Sequence, residues 1–239
     1  MIKKQSYEII FGIHPIIELL NAKKRSIYTI YTTKPEPKAF AEIKKLLTPK
    51  TSISYVTRDK LNKLAGDSTD HQGFVAAVGP YNYKKEFFDP KKDGMILFLD
   101  GVQDTKNMGA IIRSAYCTGF SGLIIPKKGN APITAATFKS SAGLAEHMNI
   151  YQPASNAAAL QELKNAGYGI YLAMVDKGVS ALEVEYKKPL CLVIGSEGPG
   201  ISRELQKEGV QITLPQRHKG ISYNASVAAG ILLFLIANK

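Results

Sequence analysis

Apolar positions switch between a helical period and a period of two along almost the whole chain. Behind His14-Pro15, residues Ile16, Ile17, Leu19 and Leu20 recur at helical spacing, and a proline suits the first helical turn. Residues 26–32 (SIYTIYT) have the β-branched and aromatic content of a strand. Helical spacing returns over 38–47, a strand pattern over 52–56 and a short helix over 59–64. A strand over 74–78 follows His71-Gln72-Gly73. Residues 80–94 break the rhythm with Pro80, Pro90, four lysines and no amphipathic period, which reads as a linker.

From Met95 the alternation resumes. It predicts strands over 95–100, 123–125, 148–151, 170–175, 190–194 and 211–214. Helices are predicted over 107–118, 134–144, 156–165 with Gly167 beyond its end, 202–207, and from Ala225 onward. Near-continuous apolar strands separated by helices argue for a mostly parallel sheet covered on both faces. The expected fold class is therefore α/β in two domains, 1–80 and 94–239, joined by a linker over 81–93.

Charge sharpens this picture. The chain carries 31 Lys+Arg against 20 Asp+Glu, a net of +11. Residues 1–80 alone hold 13 basic and 7 acidic side chains, so the excess is concentrated in the N-terminal third. Such an excess favours a polyanionic partner, because phosphate binding releases counterions. Cys117 and Cys191 are the only cysteines and have no metal-ligand spacing, so neither a disulfide framework nor a metal site is expected. No apolar signal core follows the N-terminal lysines, and the run over 227–237 is too short to span a bilayer. The expected location is the cytoplasm, with no membrane contact.

Three segments carry candidate chemistry. The first, Asn107-Met-Gly-Ala-Ile-Ile-Arg113, opens a helix after the strand ending at Asp100, with Asn107 suited to the N-cap. Arg113 follows among small and apolar neighbours; it is either a solvated helix arginine or a planar guanidinium for phosphate or ribose oxygens. In the second, Gly195, Gly198 and Gly200 surround Glu197 at the end of an apolar strand, where glycines let backbone amides approach a ligand. The spacing is neither a dinucleotide fingerprint nor a Walker loop. In the third, Leu214-Pro215 ends a strand and Ser222-Tyr223-Asn224 precedes an apolar helix; Ser222 and Asn224 are either N-caps of that helix or members of a polar site. Loops at the carboxyl ends of parallel strands converge on one crevice, so a single shared site is the economical inference.

In this order the three segments resemble the signature of the SpoU (TrmH) family of RNA ribose methyltransferases. The resemblance implies a C-terminal SPOUT-type domain with a trefoil knot, S-adenosyl-L-methionine as cofactor, methylation of a ribose 2′-hydroxyl, and a homodimer with both chains at the active site. Carried onto this sequence, Gly195, Gly198, Leu214, Ser222 and Tyr223 would bind the cofactor. Asn107, Arg113, Glu197, Ser222 and Asn224 would form the polar catalytic site. Residues 7–20 (YEIIFGIHPIIELL) and His71-Gln72-Gly73 resemble the small α/β RNA-binding domain of the branch that modifies a guanosine of 23S ribosomal RNA. His71 taken alone reads as a structural loop histidine.

The third segment departs from the family pattern. Gln216 stands at a usual Met, His218 at a Gly, Tyr223 at a Leu and Ala225 at a Val, while Gly220 restores the backbone freedom that His218 removes. A bulkier Tyr223 beside the cofactor motivates a second reading, an RNA-binding or ribosome-assembly protein that has lost methyl transfer. A third keeps the chemistry but moves it to transfer RNA or another ribosomal site. In the leading reading Arg113 positions substrate and stabilises the developing alkoxide, because a free guanidinium is too basic to accept the proton near pH 7.

Overall fold

The computed structural model describes residues 7–49, 51–66, 70–218 and 221–239. Gly220, expected to supply backbone freedom, lies outside them. The chain forms two compact units, Met1–Asn82 with Ile133–His147, and Tyr83–Pro132 with Met148–Lys239.

The first unit begins β1 (Glu8–Phe11), α1 (Ile13–Ala22), β2 (Ile27–Thr32), α2 (Phe40–Leu46), β3 (Ser52–Tyr55), α3 (Arg58–Ala65) and β4 (Val75–Val78). Its sheet runs β1-β4-β2-β3, and only the β2–β3 pair is parallel. The sequence VAAV of β4 is buried throughout, as befits a central strand between two antiparallel neighbours. The periodic apolar positions Ile16, Ile17, Leu19 and Leu20 of α1 are all buried. β1 escapes the sequence pattern because its four residues merge with the apolar run leading into α1.

The second unit contains β5 (Met95–Asp100), α4 (Thr105–Cys117) and β6 (Gly122–Ile124). The chain next forms α5 (Ala135–Ser140) and a 3-10 turn over Leu144–Glu146, both in the first unit, before it resumes the second. There follow β7 (Asn149–Tyr151), α6 (Asn156–Ala166), β8 (Gly169–Met174), β9 (Val179–Ser180), β10 (Leu190–Gly195), β11 (Val210–Thr213) and α7 (Ala225–Ala237). The sheet order is β7-β6-β5-β10-β8-β11-β9, with every pair parallel. β5 and β10 lie at its centre, and Ile96, Phe98, Cys191 and Val193 are wholly buried. Burial drives the Cys191 thiol far above its usual range, which makes it a core side chain and not a nucleophile.

Four differences from the sequence expectation have physical causes. Residues 83–93 are packed: Phe88 is buried in the core, and Lys84 N donates to Ile150 O (2.8 Å) beside β7. Gly122 makes room for the Phe88 ring, which a Cβ there would meet at 2.1 Å. Residues 203–207 form turns instead of a helix, with Gly209 cutting the run short within a few residues, and Asp100 accepts from Ser202 N at its start. The N-cap of α4 is Asp104, whose Oδ1 accepts from Lys106 N (2.6 Å) and Asn107 N (3.4 Å), so the Asn107 side chain is released from capping. The helix expected over 134–144 is cut short where Ala142 and Gly143 adopt φ of 54° and 87°.

Residues 133–147 pack with the N-terminal residues, although the sequence places them inside the second domain. Gly143 permits this approach, since a Cβ there would stand 2.7 Å from Glu18 Cβ and 2.8 Å from Pro15 Cα. Arg25 anchors the segment. Its guanidinium donates to Glu146 Oε1 (3.1 Å), Glu8 Oε2 (3.0 Å) and Gly79 O (2.9 Å), and stands 5.2 Å from the Phe138 ring centroid. No helix among the described residues is long and apolar enough to cross a membrane.

Candidate active site

The site grows from the carboxyl ends of the two central strands, where Asp100 of β5 and Gly195 of β10 are register partners. After Gly195 the chain turns back on itself. Ser196 donates to Gly200 O through its backbone N (3.2 Å) and its Oγ (3.3 Å), and Gly200 has φ of 70°. A Cβ on Gly195 would stand 2.3 Å from the Gly200 carbonyl carbon, so glycine is obligatory there. The loop then exits past Asp100, which is 6 % exposed. Asp100 Oδ2 accepts from Ser202 N (2.6 Å), and its Oδ1 accepts from Asn156 Nδ2 (2.7 Å), which also reaches Ser202 Oγ at 3.2 Å.

So held, the loop presents Glu197 to both other segments. Glu197 Oε1 accepts from Asn224 Nδ2 at 3.1 Å and from the Asn107 side-chain amide. Asn224 serves two purposes with the two ends of one amide. Its Oδ1 caps α7 by accepting from Ser226 N (2.9 Å) and Val227 N (3.4 Å), while its Nδ2 faces Glu197. Asn224 therefore caps α7 and holds Glu197 at the same time.

A cavity of about 370 Å³ opens beside this cluster. Gly195, Glu197, Leu214, Ser222, Tyr223 and Asn224 line it, so two of the three segments meet there directly. Asn107 reaches it only through Glu197. Gly198 does not line it, and nothing lies within 4 Å of where a Gly198 Cβ would be. Arg113 is exposed, six residues beyond Asn107 and on another face of α4, with no hydrogen bond or ion pair among the described residues. Tyr223 is 43 % exposed and leaves the cavity open.

Sequence reasoning missed several contributors. Asp100, Asn156 and Ser202 hold the loop, yet they are scattered polar residues with no shared motif. Ala173 and Met174 at the end of β8, and Ala228 and Leu232 of α7, supply the apolar wall. The four-residue spacing Asn224–Ala228–Leu232 marks one helix face, but α7 is so apolar all round that no face stands out in its sequence. Among the described residues no group of three or more His, Cys, Asp or Glu is placed to hold a metal.

A polar cluster over a small-molecule cavity, at the carboxyl edge of a parallel sheet, defines a ligand-binding α/β enzyme. The chain belongs to the SpoU (TrmH) family of S-adenosylmethionine-dependent RNA methyltransferases. Residues 94–234 match the SpoU rRNA Methylase family, and residues 9–84 match the RNA 2′-O ribose methyltransferase substrate binding family. An uncharacterized tRNA/rRNA methyltransferase of Synechocystis sp. is 32% identical over 243 residues; the match covers 98% of this chain and 63% of that protein. A Bacillus subtilis protein provisionally named a TrmH family tRNA/rRNA methyltransferase is 31% identical, over 98% of this chain and 97% of its own length. The fold is also that of an AdoMet-bound rRNA methyltransferase from Sinorhizobium meliloti (TM-score 0.80, 21% identity, 97% of this chain and 87% of that one).

Proposed function

We propose that this protein transfers a methyl group from S-adenosylmethionine to a ribose 2′-hydroxyl of RNA, with a guanosine of 23S ribosomal RNA as the target. The observation that carries the reading is the meeting of Asn107, Glu197 and Asn224 at the mouth of the cavity. The cavity fits the cofactor in kind: Ala173, Met174, Ile194 and Leu232 offer an apolar wall, and Glu197, Ser222 and Asn224 a polar mouth. In this reading Gly195, Leu214, Ser222 and Tyr223 line the cofactor site, and Gly198 serves the loop that covers it. The bound cofactor supplies an electrophilic methyl group, and the protein's work is alignment and charge stabilisation.

Asn107 and Asn224 fix the Glu197 carboxylate, whose remaining lone pairs can accept a ribose hydroxyl. Arg113 lies away from its own chain's cavity, so its exposed guanidinium positions RNA and stabilises the developing alkoxide at the site of a second copy of the chain. A homodimer completes the site. Val227, Ile231 and Phe234 form an exposed apolar stripe on α7, the helix whose other face packs on α4 and β10. The same return of α7 after β11 is the segment that would thread the SPOUT knot. The N-terminal unit carries the RNA-binding role, and the protein works in the cytoplasm without a metal.

The test is to map the 2′-O-methylated nucleotides that disappear from total RNA on deletion, and to titrate the purified protein with S-adenosylmethionine in the presence of chelator. Loss of one ribosomal guanosine methylation and micromolar binding are expected. Loss confined to transfer RNA would move the substrate, and no binding at millimolar cofactor would leave an RNA-binding protein without methyl transfer.

A further inference from the structure

The N-terminal unit has a cavity of its own, of about 510 Å³. It lies among the loop after β2 (Thr33, Lys34, Pro37), the start of α3 (Thr57, Arg58) and the turn at His71–Gln72–Gly73, with Val56 on its wall. The turn is built to keep this space open. Gln72 and Gly73 have φ of 54° and 88°, and a Gly73 Cβ would stand 2.8 Å from Pro37 Cγ. His71 is 3 % exposed, and both its ring nitrogens are engaged. Its Nδ1 accepts from Gly73 N (3.0 Å), which leaves Nε2–H to donate to Asn62 Oδ1 (2.8 Å). Burial, and next the Arg58 charge, lower its pKa, so this imidazole is a neutral wall and not a ligand.

The charges left to face a ligand are Lys34 and Arg58. Arg58 is exposed and makes no hydrogen bond or ion pair among the described residues. Lys34 Nζ lies 4.5 Å from the ring centroid of Tyr55, which is 41 % exposed. The neighbouring carboxylates are already engaged. Glu36 accepts from Tyr55 OH (2.6 Å) and Lys44 (2.7 Å), and Asp70 pairs with Lys139 (3.2 Å). An unpaired guanidinium, a lysine lying over an exposed aromatic ring, and a mostly polar recess with Pro37 and Val56 on its wall suit one kind of ligand, a nucleotide that is not stacked in a helix. A base inside a duplex cannot enter a recess, whereas one splayed from a loop or a single strand can.

We propose that this cavity takes one unstacked nucleotide of the RNA, its phosphate between Lys34 and Arg58 and its base against Pro37 and Val56. The inference rests on RNA as the substrate, and it assigns the place where the N-terminal unit grips it. The test compares the full-length protein with the double variant Lys34→Gln/Arg58→Gln, and with Lys23→Gln/Lys45→Gln, which removes the same charge from exposed positions outside the cavity. The probe is a short labelled single-stranded RNA of mixed sequence, with the same sequence as a duplex for comparison. The cavity variant should bind the single strand about tenfold or more weakly, with a salt slope shallower by about one, while the control variant loses far less. S-adenosylmethionine binding, the circular-dichroism spectrum and the melting curve should be equal in all three proteins, which shows that both units are folded in the variants. Equal losses in the two variants, or a wild-type preference for the duplex, would overturn the cavity assignment alone. A wild-type protein that binds cofactor but neither RNA would overturn the RNA reading, and the cavity proposal with it.

Discussion

Asp100→Ala should loosen the glycine loop without touching the cavity beside it directly. Asp100 is nearly buried and does not line that cavity, yet its carboxylate binds the loop exit at Ser202 N (2.6 Å) and the Asn156 amide (2.7 Å). Two charge-assisted bonds are lost and two donors are stranded, offset by the removal of a desolvated charge. A cost of about 2–4 kcal/mol follows. At roughly 2–4 °C per kcal/mol for a chain of this size, the melting temperature should fall by about 5–15 °C. Asp100→Asn should be milder. It keeps an acceptor for Ser202 N, and it can meet Asn156 if that amide turns over and gives up Ser202 Oγ (3.2 Å). Ser202→Ala, which removes only that last contact, should cost less than about 1 kcal/mol. Calorimetric melting of the series, with cofactor titration of each protein, reads both effects, and Asp100→Ala should weaken S-adenosylmethionine binding about tenfold or more. A melting temperature within a degree or two of wild type, with unchanged cofactor affinity, would refute the claim that Asp100 holds the loop.

Gly195→Ala should abolish cofactor binding, because its Cβ would collide with the Gly200 and Ile201 backbone at 2.3–2.4 Å; Gly198→Ala, with open space at that position, should bind nearly as wild type in the same titration. Arg113→Ala should leave melting temperature and cofactor affinity unchanged but reduce methyl transfer by about a hundredfold or more, read with tritiated cofactor; near-normal turnover would remove Arg113 from the site. Burial pushes the Glu146 carboxyl from an ordinary 4.5 up to about 7, despite Arg25 beside it. Between those values the folded chain holds a proton that the unfolded chain has lost, so this group's contribution to stability declines as pH rises through the window. Urea unfolding from about pH 5 to about pH 8 should show that decline, and Glu146→Gln should flatten it; parallel profiles would assign the slope elsewhere.

Much of the secondary structure was legible along the chain because it is local. β5 and β10 are unbroken apolar runs, the periodic face of α1 is the buried one, and Gly167 ends α6 in the left-handed conformation. These features depend on side-chain size, branching and glycine freedom within a few residues, which a sequence displays directly. The three chemical segments were visible for the same reason: each follows the carboxyl end of a strand, and parallel strands send such loops to one edge of a sheet. What lay beyond the sequence was pairing over distance. Asp100 meets Ser202 across 102 positions, Arg25 meets Glu146 across 121, and Phe88 finds the gap left by Gly122. Asn107 was expected at the helix cap because its type suits the task, but Asp104 took that position and the Asn107 amide turned to Glu197. Residues 133–147 joined the N-terminal unit because a buried guanidinium must find carboxylates and carbonyls, and those lie on segments far apart in the chain. Local propensity sets which elements form, while the need to satisfy buried charge and fill space decides which distant residues become neighbours.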